Sequence, residues 1–247
     1  MLKQTTRNTK MLAVNEYHRI PWGQNLHRIG VMSDGSCFFH SLLTSIDPSY
    51  CALPVKDKTS KVVAFRKQVA SALTIKDFHT LSSHYTPLYK DLPARVQHYH
   101  KEHYFVDEKE TVRLASELES YAYELKQPTT EEVKKFLQNF LAFREYISNP
   151  TEAVGDELHL LVSRVLGVDI YLTTTQEDGS MGYILHDPSR SYQGRSSIVV
   201  HKVPNKDHWE AVGQFKETGL MTLFEPTSTV ITQLRKCFED HWTRLQG

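Results

Sequence analysis

Three cysteines, Cys37, Cys51 and Cys237, are an odd number and too scattered for a disulfide framework in a chain of 247 residues. No CxxC pair occurs, so nothing suggests a zinc knuckle, and a reducing compartment is the plain expectation. The sequence also lacks any apolar run near the roughly 18 residues that cross a bilayer. "MLAV" at 11–14 is too short for the hydrophobic part of a secretory signal. Charge of one sign is not in excess either: Lys+Arg and Asp+Glu are both 29. That balance argues against a protein built to wrap a polyanion. Repeats, low-complexity tracts and a convincing linker are missing too. A single domain over 15–247 is therefore expected, behind a flexible lead at 1–14.

What is present can bury a core. Hydrophobic residues make up 40% of the chain and aromatics 11%, which fits a globular protein. Phe38, Phe39, Leu42, Leu43 and Ile46 recur at helical spacing, and Asp47-Pro48 ends that helix. Further helical stripes run through Val62, Phe65, Val69 and Leu73, through Leu114, Leu118, Tyr121 and Leu125, and through Val133, Phe136, Phe140 and Ile147. The last of these opens with Thr129 and Glu132 at capping-box spacing. After Asn149-Pro150 the pattern changes. "GDELHLLVSRVLG" predicts a short buried helix stopped by Gly167. "VDIYLTTT" and "MGYILH" alternate around the turn "EDGS", predicting a hairpin. "SSIVVHKV" and "HWEAVG" predict two more strands, and 228–245 returns to helical spacing. Helices thus dominate the first 150 residues, and a small sheet occupies about 168–215.

The stretch "SDGSCFFH" at 33–40 sets a thiol directly after a tight Asp-Gly corner and at the start of an apolar helix. A thiolate is the nucleophilic form of cysteine, and a helix N-terminus favours it. Backbone N–H groups of the Asp34-Gly35 turn are suitable material for an oxyanion hole. A buried small hydrophobe fits position 37 equally well. A nucleophile needs a base, and His208 in "KDHWEAVG" has a suitable setting. Residues two apart on a strand share a face, so Glu210 projects beside His208 while Trp209 points away. A carboxylate there can orient the imidazole and stabilise its charged form.

These segments resemble the ovarian-tumour (OTU) family of cysteine proteases. "SDGSCFFHSL" is similar to that family's cysteine motif, D-G-x-C-[LF]-[FY]/[FW]-R-[AS], and "DHWEAVG" to its histidine motif. Between them, "VGDELHLLVSRVLGVDIYL" is similar to the helix and strand before the family's histidine hairpin. The resemblance covers about 28–47 and 152–215, in the family's order. It implies an α+β fold of OTU type, with a small central sheet packed between helices and 52–150 as a helical elaboration. It makes Cys37 the nucleophile and His208 the base, with Asp34 as the motif aspartate of the oxyanion loop. Gly35, Ser36 and Trp209 would border the oxyanion hole and substrate channel. Glu210 stands where many members carry Asp or Asn, and Asn205 or Asp207 remain alternatives for the third residue. His40 departs from the family, which usually has Arg or a small residue there.

The implied activity is that of an omega peptidase, hydrolysing the bond at the C-terminal glycine of ubiquitin or a ubiquitin-like modifier. No cofactor or metal is implied. The expected partner is ubiquitin or its conjugates, with neither nucleic acid nor membrane, for a monomer in the cytoplasm. Two rivals stand beside this: a non-catalytic ubiquitin- or protein-binding module on the same fold, and a cysteine protease or acyltransferase of another lineage. His98, His100 and His103 with Glu102 read as a solvated helix face, since neither Cys nor HExxH accompanies them. The acids of "DEKE" at 107–110 suit a helix start.

Overall fold

The structure, a computed structural model, describes residues 10–22, 24–84, 113, 116, 130–184 and 188–246. The elements follow in chain order: β1 (Tyr17–Arg19), β2 (Leu26–Ile29), α1 (Cys37–Ile46), α2 (Val55–Ala72), α3 (Ile75–His84), α4 (Thr130–Ser148) and α5 (His159–Leu166). Then come β3 (Asp169–Thr175), β4 (Met181–Tyr183), α6 (Pro188–Ser191), β5 (Ser197–Lys202), β6 (Trp209–Lys216), β7 (Gly219–Met221) and α7 (Thr229–Gln246). Short 3-10 turns occupy Pro48–Ala52 and Asp156–Leu158. Two compact units emerge, Met1–Phe65 with Pro150–Gly247, and Arg66–Asn149. The histidine cluster at 98–103, the acids at 107–110 and most of the stripe at 114–125 lie outside the described residues. No helix among the described residues is long and apolar enough to cross a membrane.

In the first unit one mixed sheet runs β1-β2-β6-β5-β3-β4, with β7 paired to β6. Only β3 and β5 are parallel; the other pairs are antiparallel. The expected hairpin is β3–β4, with Thr173 opposite Tyr183. β3 and β5 are buried almost throughout, as strands covered on both faces must be. One cover is α1, whose Phe38 meets Trp209 of β6 edge-on at 5.3 Å. Across the sheet, Tyr171, Val199 and Val212 form a core with Val230, Ile231, Leu234 and Phe238 of α7. Because α1 is buried on nearly every side, its polar groups need internal partners. Ser41 Oγ donates to the Cys37 carbonyl and Ser45 Oγ to that of Ser41.

Asp169 opens β3 fully buried. Its Oδ2 accepts from the backbone N–H groups of Gln193, Gly194 and Arg195, and its Oδ1 from Arg195 Nε at 2.9 Å. This carboxylate ties the α6–β5 connection to the start of β3.

The second unit lies within the stretch read as a helical elaboration. Phe78 of α3 packs edge-on against Phe136 and Phe140 of α4 at 5.3 and 5.8 Å. Arg66 of α2 is buried, and its guanidinium donates to the carbonyls of Ile147 (2.7 Å) and Tyr146 (3.3 Å). A cation at the last turn of α4 thereby satisfies carbonyls that a helix end leaves open.

Candidate active site

Cys37 is the first residue of α1, with Ser36 as its N-cap. The helix delivers the sulfur to the segment that carries His208. Cys37 Sγ lies 3.9 Å from the Asp207 carbonyl oxygen, and the Trp209 N–H is hydrogen-bonded toward it. The thiol is only 6% exposed. Burial pushes it up from 9.0 to about 11, against the lowering effect of the Trp209 and Phe38 N–H groups. The carboxylates of Asp207 and Asp34 push in the same direction as burial. The sequence led us to expect the helix start to lower this pKa. Here desolvation outweighs the helix, so the resting side chain is a neutral thiol.

His208 directly precedes β6 and is buried, and neither ring nitrogen has a hydrogen-bond partner. Burial first, and the Arg28 charge second, push it down from 6.5 to about 4. Its Nε2 stands 3.9 Å from Glu210 Oε1, so the two side chains share a face as strand geometry requires. Glu210 is itself held on both oxygens. Oε1 accepts from the Leu12 N–H at 2.8 Å, and Oε2 lies 2.8 Å from Arg28 Nε, with both side chains buried. Burial raises the Glu210 carboxyl, and Arg28 and the Leu12 N–H oppose that rise. Asn205 takes a left-handed turn (φ 57) and, like Asp207, is exposed. The turn Pro204–Asp207, with Lys202 and Thr174, lines an open cleft of about 320 Å³.

Asp34 organises the corner before the helix. Its Oδ1 accepts from the Ser36 N–H at 2.8 Å and its carbonyl from the Cys37 N–H at 3.2 Å. The Ser36 and Cys37 N–H groups are therefore both engaged with Asp34. A Cβ on Gly35 would come within 2.7 Å of the Thr151 carbonyl oxygen, so only glycine lets the corner pass that loop. Ser36 Oγ donates to the Pro150 carbonyl at 3.1 Å. Trp209 is 1% exposed, packed on Phe38, and lies beneath Gly155, where a Cβ would approach its Nε1 to 3.2 Å. Its ring offers almost no surface to a ligand.

His40, the departure from the family motif, has a defined place. Its Nε2 meets Asp34 Oδ2 at 3.0 Å and its Nδ1 meets the Tyr50 hydroxyl at 2.5 Å. A carboxylate only accepts, so Nε2 donates to Asp34, while the Tyr50 hydroxyl bridges Nδ1 and the Lys58 carbonyl, 3.4 Å away. His40 thus braces the Asp34 corner from inside α1. His40→Ala is expected to destabilise the protein by about 1 kcal/mol in urea denaturation, by removing the buried link between Tyr50 and Asp34; Tyr50 keeps its 3.4 Å bond to the Lys58 carbonyl and the part-exposed Asp34 gains water. His40→Gln, able to keep one bond, should lose less.

Sequence reasoning missed Arg28, Leu12 and Tyr50. Arg28 reads as a surface residue of a short polar strand, and Leu12 contributes only its amide. Tyr50 was passed over because it lies beyond the Asp47-Pro48 helix stop. No group of metal-ligating side chains occurs among the described residues.

No family model matches the sequence, and no curated protein matches it. Solved structures do match. An ovarian tumour (OTU) domain in complex with ubiquitin aligns over 91% of this chain and 92% of its own, at 12% identity and a TM-score of 0.42. The OTU domain of OTUD1 aligns over 76% and 86%, at 14% identity and 0.37. The viral OTU domain protease from Farallon virus aligns over 81% and 97%, at 14% identity and 0.34. All three structures are OTU domains.

Proposed function

We propose that this chain is a thiol-dependent hydrolase acting at the C-terminal glycine of ubiquitin or a ubiquitin-like modifier. The supporting observation is the lodging of the Cys37 sulfur against the backbone of residues 207–209, which brings the cysteine motif to the histidine motif. The choice of ubiquitin rests on the sequence resemblance. In the resting state thiol and imidazole are both neutral, so the proton moves only when substrate is bound. Nε2 of His208 faces Glu210, which leaves Nδ1 to take the Cys37 proton.

The thiolate attacks the glycine carbonyl carbon, and a C–S bond forms as the carbonyl electron pair moves to oxygen. Backbone N–H groups near Cys37 stabilise that oxyanion once the Asp34 corner releases them. Collapse breaks the C–N bond, and protonated His208 gives its proton to the leaving lysine amine. Water then attacks the thioester with His208 as base, the C–S bond breaks, and the thiol is restored.

Hydrolysis of a fluorogenic ubiquitin C-terminal amide tests this. Cys37→Ala should abolish turnover, and a ubiquitin bearing a covalent warhead should label Cys37. Activity that survives Cys37→Ala would remove the nucleophile assignment. Ubiquitin binding without labelling or hydrolysis would make the chain a binding module. Peptidase activity without labelling would point to a different thiol hydrolase.

A further inference from the structure

The described residues nearest the N-terminus run directly to the candidate site. Arg28 Nη2 donates to the Lys10 carbonyl at 2.5 Å, and the Leu12 N–H donates to Glu210 Oε1. Leu12 is 7% exposed. Beyond it, the Asn15 N–H donates to the Gly30 carbonyl and the Gly30 N–H to that of Glu16. Gly30 permits this docking: a Cβ there would lie 1.9 Å from the Ala13 carbonyl oxygen. The segment thus follows β2 with no side chain between the two backbones at that point.

We infer that Lys10–Ala13 is a positioning strap of the active site, in which the Leu12 amide and Arg28 together fix the Glu210 carboxylate beside His208. This rests on the thiol-hydrolase reading for its chemistry. The geometry gives the strap a specific task. Oε1 is the Glu210 oxygen that faces His208 Nε2, at 3.9 Å, and it is the same oxygen that the Leu12 N–H holds. Arg28 anchors the other oxygen at 2.8 Å. Gripped at both atoms, the carboxylate cannot rotate about its terminal bond without losing a hydrogen bond or an ion pair in a site closed to water. Glu is longer than the Asp or Asn of the resembled motif, and the strap supplies the restraint that the extra methylene removes. The next strand adds no second grip: His201, opposite Glu210, has its nitrogens 3.4 Å from the Thr173 and Thr175 hydroxyls. Leu12 and Arg28 are positioning residues, since neither contacts the thiol.

Leu12→Pro deletes the one N–H concerned and keeps an apolar side chain. Two readouts apply to it: kcat and KM on the ubiquitin amide, and the pH profile of Cys37 alkylation by iodoacetamide, with Cys51 and Cys237 replaced by serine. The expected result is a kcat lower by roughly 10- to 100-fold with KM little changed. Cys37 alkylation should slow with an altered pH profile, and the conservative Leu12→Met, which keeps the N–H, should recover both. Should Leu12→Pro fail to fold, an amide-to-ester replacement at residue 12 in a ligated chain removes the same hydrogen while preserving shape. Wild-type alkylation and kcat in a folded N–H-deleted protein would overturn the strap. Alkylation needs no ubiquitin, so a wild-type protein inactive on ubiquitin would defeat the proposed substrate while leaving the strap to this second measurement.

Discussion

Replacing His208 with glutamine is expected to lower hydrolysis about 10³-fold and to flatten the acid side of the stability curve. Both effects follow from the burial of the imidazole. Its value falls from 6.5 to about 4 in the fold, through burial and the Arg28 charge, with a smaller contribution from His40. Asp34 and Asp207 oppose this, and Glu210 faces the ring across 3.9 Å with its own charge balanced by Arg28. A depressed histidine means that the folded state binds fewer protons than the unfolded one between those two values. The associated stability is complete above pH 6.5 and is lost as pH falls through 4, about 3 kcal/mol as an upper figure. Cys37 acts on the other side. Raised from 9.0 to about 11, it contributes stability that is complete below pH 9 and is lost as pH rises through 11. Urea denaturation of wild type and His208→Gln from pH 4 to 8 should therefore give a difference that grows with pH and levels off above 6.5. The wild-type kcat/KM should retain its base well below pH 6. An acid limb of kcat/KM at pH 6 to 7, the range of an ordinary imidazole, would contradict the buried neutral base.

Asp169→Ala is expected to be among the most destabilising single substitutions in the first unit. Deleting that carboxylate strands three backbone N–H groups at the start of β3 and takes from Arg195 its ion-pair partner, leaving the guanidinium its two bonds to Ser163. Removing one partner of a buried, hydrogen-bonded ion pair costs about 3 kcal/mol or more. Arg195 keeps 31% of its side-chain surface exposed, so water recovers part of its loss, whereas Asp169 is fully buried. Asn keeps one oxygen acceptor and should lose about half as much. The measurement is the urea midpoint at unchanged m. A loss below about 1 kcal/mol would mean that the α6–β5 connection is held by something other than this carboxylate.

Elements with their own periodicity were legible in the chain. The apolar spacing of α1, the alternation of β3 and β4 about "EDGS", the strands β5 and β6, and the stripe of α7 all appear near where they were expected. Gly167, the expected stop of α5, caps that helix in the left-handed region (φ 67). β1 and β2 escaped notice because "YHR" and "LHRI" are three and four residues long, too short for an alternating pattern to show, and each carries an arginine. They form by pairing with β6 through β2, a partner that lies far along the chain. The parallel pairing of β3 with β5 was equally invisible, since alternation fixes which face a residue takes and not its neighbour.

The candidate site divides in the same way. Sequence by itself determined which residue types could do the chemistry: a thiol at a helix start, an imidazole ahead of a strand, and a carboxylate two positions on. Tertiary structure alone decided how each is held. The Leu12 amide reaches Glu210 across 198 positions, Arg28 turns inward because a buried carboxylate awaits it, and His40 finds Asp34 and Tyr50. It also reversed the expected effect on the Cys37 thiol, because burial outweighs the helix N-terminus. Periodicity and motif spacing are local and survive in a linear string. Desolvation and hydrogen-bond partnership depend on what the folded chain brings together, and no window of the sequence contains them.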